Sequence, residues 1–188
     1  MAEFQQGSLP AFEALYARYK APIFAFLCRL SGTPELAEEL HQETFLRVVN
    51  RRDTYRFGAK FSTWLYSIAR NQALDAKRRQ KFRRHASLDQ PAREDGAALI
   101  ERIADGGPSP DRDSTAKRLQ VDLEKAVAAL PDDQREVFLM REYSGLKFQE
   151  IAEITGAKEG TVKSRMRYAL ETLQGALSAY SDYARTLP

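Results

Sequence analysis

Apolar residues recur at three- and four-residue spacing along most of the chain, and alternating β-branched runs bounded by hairpin turns are absent from the sequence. The pattern predicts an all-α protein. Phe12, Leu15, Tyr16 and Tyr19 mark a first helix, and Ile23, Phe24, Leu27 and Leu30 continue the spacing in a second after Pro22. Ser31-Gly32-Thr33-Pro34 ends that pattern. Thr33 suits an N-cap, and Pro34 suits the first helical position, where its missing N–H costs nothing. The next helix carries Leu36, Leu40, Thr44, Phe45 and Val48. Another begins near Ser62 with Trp64, Leu65, Ile68, Ala69 and Leu74, and it ends in Lys77-Arg78-Arg79, cations suited to a helix C-terminus.

The periodicity fails from about Arg84 to Ser114, where Pro91, Gly96, Gly106, Gly107, Pro108 and Pro110 fall among acidic residues. This stretch reads as a linker with room for a short helix at Ala97–Ile103. Helical spacing resumes near Thr115 with Leu119, Leu123, Ala126, Val127 and Leu130. Pro131 breaks it, and a new helix with Val137, Phe138, Met140 and Arg141 runs to Ser144-Gly145. The expected architecture is two small helical domains, residues 8–85 and 115–177, joined by a flexible linker over 86–114.

Phe148, Ile151 and Ala152 form the apolar stripe of a short helix, and Thr155-Gly156-Ala157 follows as a turn in which glycine can take the left-handed conformation. A second helix then presents Val162, Met166, Ala169 or Leu170, and Leu173 to the same core. Short helix, tight turn and a second helix with a polar start are the layout of a helix-turn-helix, between Lys147 and Leu173. Lys158, Thr161, Lys163, Ser164, Arg165 and Arg167 lie along the second helix, and such side chains bond base edges and phosphates. An ordinary helical hairpin with a basic face is the plainer alternative.

Charge adds to this picture. Residues 1–85 hold fifteen Lys/Arg against eight Asp/Glu, residues 86–113 three against seven, and residues 114–188 eleven against eleven. The first segment has the balance of a polyanion binder. Within it, residues 57–79 interleave Phe57, Phe61, Trp64 and Tyr66 with Lys60, Arg70 and the basic end. Aromatics on which bases stack and cations that follow a backbone suit melted or single-stranded nucleic acid. Helical spacing also makes Trp64, Leu65, Tyr66 and Ile68 ordinary core candidates.

Other classes find little support. One cysteine, Cys28, and two histidines give too few soft ligands for a zinc site, and His41 and His85 lack nucleophile partners in the sequence. No glycine-rich phosphate loop exists, and no apolar run approaches the roughly 18 residues of a membrane span. The sequence therefore predicts a cytoplasmic protein that is not an enzyme and uses no cofactor or metal.

The runs FSTWLYSIARNQALDAKRR, AEELHQETFLRVV and ALPDDQREVFLMREYSGLKFQEIAEITGAKEGTVKSRMRYAL resemble the sigma-70 family, in particular its small extracytoplasmic-function branch. The resemblance implies a region 2 helical bundle and a region 4 helix-turn-helix. By that resemblance Ala37–Phe45 grips the clamp helices of the largest subunit of core RNA polymerase, through Glu39, Gln42 and Glu43. Phe57–Arg79 is similar to the segment that opens the −10 promoter element. Asn71 and Phe61-Ser62-Thr63 would lie near a pocket for an extruded base, Lys60, Trp64 and Arg70 would belong to the same −10 DNA-binding surface, and Lys77, Arg78 and Arg79 would meet duplex phosphates upstream. The helix-turn-helix corresponds to the −35 reader, with the six residues named above as its contacts. An anti-sigma factor is a further partner the family implies. Leu36 and Ala59-Lys60 stand where many relatives carry acids.

The competing reading is a helix-turn-helix regulator whose N-terminal domain senses a signal or dimerises. The basic-aromatic segment Phe61–Arg79 separates the two, because a sensor or dimerisation domain has no need of it.

Overall fold

The computed structural model describes residues 1–58, 60–86 and 112–181. The expected linker and its short helix at 97–103 fall almost wholly outside these residues. The described elements are helical. They comprise α1 (Ala2–Gln5), α2 (Leu9–Ser31), α3 (Pro34–Asn50), a 3-10 turn (Arg52–Thr54) and α4 (Phe61–Ala86) in the first half. The second half holds α5 (Arg112–Ala129), α6 (Asp132–Phe138), a π-helical turn (Leu139–Tyr143), α7 (Phe148–Thr155), α8 (Glu159–Ala176) and a 3-10 turn (Ser178–Tyr180).

Helices α2, α3 and α4 pack as a bundle around Ile23, Phe26, Leu27, Leu40, Val48 and Leu65, each at most 1% exposed. Each such large apolar side chain contributes about 1.5–3 kcal/mol by leaving water. The punctuation between α2 and α3 follows the sequence: Gly32 closes α2 at φ +83, and Thr33 is the extended N-cap residue before Pro34.

Two elements differ from the expected pattern. Helix α2 runs unbroken through Pro22. Proline removes one backbone hydrogen bond and costs about 3 kcal/mol inside a helix, but Ile23, Phe26 and Leu27 beside it are buried and hold the axis. The short α1, absent from the apolar pattern, buries Phe4 against Phe12, with ring centroids 5.1 Å apart. Gln5 Nε2 of α1 donates to the carbonyls of Arg52 and Tyr55 at 2.8 and 2.9 Å, pinning the loop before α4.

The second half is built on Val127, Val137, Leu139, Met140, Ile151, Val162 and Ala169. Ala169 is fully buried while Leu170 is 48% exposed, which settles which of the two faces the core. Gly156 takes φ +69 between α7 and α8, as the tight turn requires.

The two halves dock on each other. Helix α4 packs on α7, and α2 packs on the π-helical turn. Their buried residues join in one continuous cluster. The π-helical turn ends α6 with a wider coil, and its Tyr143 ring stacks under the Arg29 guanidinium at 4.1 Å.

Candidate nucleic-acid interface

The loop between α3 and α4 gathers an aromatic cluster. Tyr55 is buried and meets Phe57, Trp64 and Phe61 with centroids 5.6, 5.4 and 6.2 Å away. Phe61 is also edge-on to Tyr19 at 5.3 Å and tilted on Trp64 at 5.9 Å. Phe61 and Trp64 are thus half-buried parts of this packing. Phe57 is 66% exposed and offers its outer face to stacking. Phe57 stands among the aromatics of the segment but not among the −10 contacts that the resemblance implies; an aromatic before a glycine in a polar loop is the signal for it.

Along α4 the expected −10 residues separate into groups. Thr63 is buried, Ser62 is half-buried, and Asn71, Arg78 and Arg79 are exposed. Arg78 and Arg79 interact only loosely with Asp75, through a 3.6 Å ion pair and a 3.4 Å hydrogen bond to its carbonyl. Lys60, Arg70 and Lys77 instead reach across to the second half. Lys60 Nζ is 2.8 Å from Glu150 Oε1. Arg70 donates twice to the Glu136 carboxylate, at 2.6 and 2.9 Å. Lys77 is hydrogen-bonded to Asp132, whose carboxyl is held below its usual range by that bond.

The residues expected to face polymerase lie on one face of α3. Glu39 and Gln42 are exposed, with Leu46 one turn further at 62% exposure. Glu43 is half-buried and already engaged: Arg47 donates to its Oε1 at 2.6 Å. The buried Gln72 amide satisfies both its ends when Nε2 donates to Glu43 Oε2 at 2.9 Å and Oε1 accepts from the Thr44 N–H at 3.1 Å. Leu46 was not among the expected contacts, although it follows Gln42 and Glu43 at helical spacing.

In the helix-turn-helix, α7 begins with the Glu150 carboxylate accepting from the Lys147 N–H at 2.7 Å. Burial raises the Glu150 pKa, but the bonds from Lys60 and the Lys147 backbone outweigh it and leave the carboxyl below its ordinary value. Helix α8 then exposes Lys158, Thr161, Lys163, Ser164 and Arg167. Lys163 pairs with Glu159 at 2.6 Å, and Arg167 lies 3.8 Å from Glu171. Ser164 Oγ donates to the Gly160 carbonyl at 3.0 Å. Arg165 is half-buried and bonds Asp133 at the start of α6, at 3.0 Å. It ties the recognition helix to its support.

The remaining candidate chemistry is structural. Cys28 is 2% exposed and burial pushes its thiol pKa up, so it is a packed core residue. His41 lies among Tyr16, Phe24 and Phe45, with Nε2 3.0 Å from the Lys20 carbonyl.

Comparison with known proteins agrees with this geometry. Residues 15–83 match the family model for sigma-70 region 2, and residues 120–173 match sigma-70 region 4. The region 2 match sets aside a sensor or dimerisation domain in the first half. The chain is 34% identical to the RNA polymerase sigma factor CarQ of Myxococcus xanthus, covering 94% of this chain and 95% of that one. It is 30% identical to the extracytoplasmic-function RNA polymerase sigma factor SigW of Bacillus subtilis, covering 93% of each. Among solved structures, the sigma factor RpoE from Bartonella quintana, in complex with the anti-sigma factor NepR, aligns with a TM-score of 0.74 and 25% identity. That alignment covers 90% of this chain and 98% of the other. The chain belongs to the extracytoplasmic-function branch of the sigma-70 family and is a non-enzymatic sigma factor that directs transcription initiation by RNA polymerase.

Proposed function

We propose that the first half, residues 8–85, carries both core-polymerase binding and −10 melting, and that residues 115–177 read the −35 element across a linker of residues 86–114. Glu39 and Gln42 on α3 meet the clamp helices of the largest polymerase subunit, with Leu46 supplying apolar area one turn beyond Gln42. The observation that carries the −10 assignment is that Phe57, just before α4, and Asn71 and the basic end on α4 are all exposed. Extruding a base costs a few kcal/mol of stacking. An aromatic face and a side-chain amide recover that cost, while Arg78 and Arg79 hold the upstream phosphates.

On the second half, Lys158, Thr161, Lys163, Ser164 and Arg167 form the contact face of the recognition helix. Arg165 joins it once released from Asp133. The protein works in the cytoplasm, where its polymerase partner is, and no helix among the described residues is long and apolar enough to cross a membrane. An anti-sigma factor holds it inactive. The support is its alignment, over both halves, with a relative solved in such a complex.

The test combines the protein with core polymerase on genomic fragments that the holoenzyme itself selects, and reads thymine reactivity to permanganate. Open thymines near the start site are expected, with a loss of at least tenfold for Asn71→Ala together with Phe57→Ala. Fully duplex DNA under conditions where a reference sigma factor melts its own promoter would overturn the proposal.

A further inference from the structure

A helix of four residues cannot hold its shape by its own hydrogen bonds, yet α1 has a fixed place. Phe4 is 5% exposed and packs on Phe12, and Gly7 at φ +93 turns the chain into α2. The Ser8 N–H closes that turn by donating to the Glu3 carbonyl at 3.0 Å. From this anchor Gln5 reaches residues 47 and 50 positions further along the chain. Its Nε2 donates to the Arg52 carbonyl at 2.8 Å and to the Tyr55 carbonyl at 2.9 Å. Both partners are acceptors, so only the NH2 end of the amide fits there, and its two hydrogens serve one carbonyl each.

The bridged segment leads directly to the exposed aromatic. Within it, the Thr54 N–H and Oγ1 donate to the Arg51 carbonyl at 2.9 and 2.7 Å, and the Tyr55 N–H donates to the Arg52 carbonyl at 3.3 Å. Phe57 stands two residues beyond, its ring edge-on to the Tyr55 ring at 5.6 Å. Holding the main chain at Tyr55 from α1 thus sets where the outer face of Phe57 points. Gln5 itself lies ahead of the residues 15–83 that match region 2.

We infer that Gln5 is a positioning residue for −10 recognition: its amide bridges α1 to the Arg52 and Tyr55 carbonyls and presets the α3–α4 loop so that Phe57 is in place to receive a base. A stacking face that is already held loses less freedom when the strand arrives. The inference rests on the reading of Phe57 as a −10 contact. Because α1 packs on α2 and the 3-10 turn, loss of the bridge should act on strand binding and spare the contacts of α3 and α8.

Gln5→Met keeps the side-chain length and removes both donors, and Gln5→Glu sets an acceptor against two acceptors. Gln6→Met, at an exposed neighbour, is the control. Trp64 is the one tryptophan of the chain and lies 5.4 Å from the Tyr55 ring, so its emission reports the loop in the free protein. Acrylamide quenching should increase by about half in both Gln5 variants and stay unchanged in the control. In holoenzyme, affinity for a fluorescein-labelled non-template strand, copied from the melted part of a fragment the holoenzyme selects, should fall about fivefold for Gln5→Met. Core-polymerase affinity and binding of the −35 duplex should stay within about twofold of the control. Phe57→Ala should weaken strand binding by itself, and adding Gln5→Met to it should cost less than about twofold more, because the two residues act through one contact.

Equal quenching and equal strand affinity in Gln5→Met and Gln6→Met would overturn the inference. So would an undiminished fivefold loss in the Phe57→Ala background, or a parallel loss of core-polymerase binding, since either makes Gln5 a general support of the fold. The −10 reading fails in a different way. Phe57→Ala then leaves strand affinity unchanged, and Gln5 has nothing to position. If Phe57→Ala weakens the strand and Gln5→Met does not, the reading stands and the positioning role alone is lost.

Discussion

Arg70 on α4 and Glu136 on α6, 66 residues apart, share two hydrogen bonds in the dry centre of the contact between the halves. Lys77 and Asp132, in the same contact, are 48% and 60% exposed. The difference in burial ranks the pairs. Truncating one partner of a buried pair strands the other charge and costs about 3–5 kcal/mol, whereas an exposed pair contributes about 0–1 kcal/mol.

Glu136→Ala should therefore loosen the contact far more than Asp132→Ala. Amide hydrogen exchange is the measurement, read in the α4 and α7 segments. Undocking lets Arg70 reach water, so the cost is capped at the free energy of docking. The expected result is at least tenfold faster exchange there for Glu136→Ala, with protection in the α2–α3 pair unchanged. Equal effects of the two substitutions would mean that the burial ranking is wrong.

The pH dependence has a definite sign. Burial among aromatic rings holds His41 below its ordinary pKa, outweighing the bond to the Lys20 carbonyl and the attraction of Glu38. The unfolded chain therefore takes up a proton first, near pH 6.5, and stability is lost as pH falls below that value. Asp132 and Glu150 are likewise held below their usual values. Their contribution is complete above about pH 5 and is lost on further acidification. Denaturant midpoints should decline gently from pH 7 to 5 and more steeply below. His41→Gln should flatten the first part and leave the second.

How much of this was readable in the sequence depends on the range of the signal. Helix spacing, the Thr33-Pro34 start and the Gly156 turn are local, and each is where the pattern puts it. The continuity of α2 through Pro22 is not local, because packing of Ile23, Phe26 and Leu27 outweighs the lost hydrogen bond. The π-helical turn at Leu139–Tyr143 differs from an α-turn in its wider backbone hydrogen bonding, which the apolar spacing does not mark. At the site, residue types were readable but their present partners were not. Arg70 and Glu136 look like two solvated charges until the halves dock. Glu43 looks like a free carboxylate until Arg47 and Gln72 are seen to hold it.

That last point separates residues with similar sequence credentials. Gln42 is exposed and free to meet polymerase, while Glu43 is tied back to α3 and α4. Gln42→Ala together with Glu39→Ala should weaken core binding about tenfold without lowering the thermal midpoint. Glu43→Ala should weaken binding and also lower the midpoint, because it leaves the buried Gln72 amide without its acceptor. Fluorescence anisotropy against core polymerase, beside a thermal melt, distinguishes them. An unaltered midpoint for Glu43→Ala would show that the Gln72 contact adds nothing to stability.

On the recognition helix, Arg165 and Lys163 should part in a similar way. Lys163 is 57% exposed and faces solvent from the polar start of α8, so its contact with DNA would be to phosphate. Lys163→Ala should weaken binding evenly across sequences and lower the salt dependence by about one unit of slope. Arg165 is 28% exposed and bonded to Asp133, so it must exchange that carboxylate before touching DNA. Asp133→Asn should therefore strengthen −35 binding slightly by freeing it, while Arg165→Ala should weaken it and leave polymerase binding intact. Gel shifts on a −35 duplex and co-elution with core polymerase read both effects. If Arg165→Ala leaves DNA affinity unchanged and only lowers the thermal midpoint, then Arg165 is a strut between α6 and α8 and not a reader of the promoter.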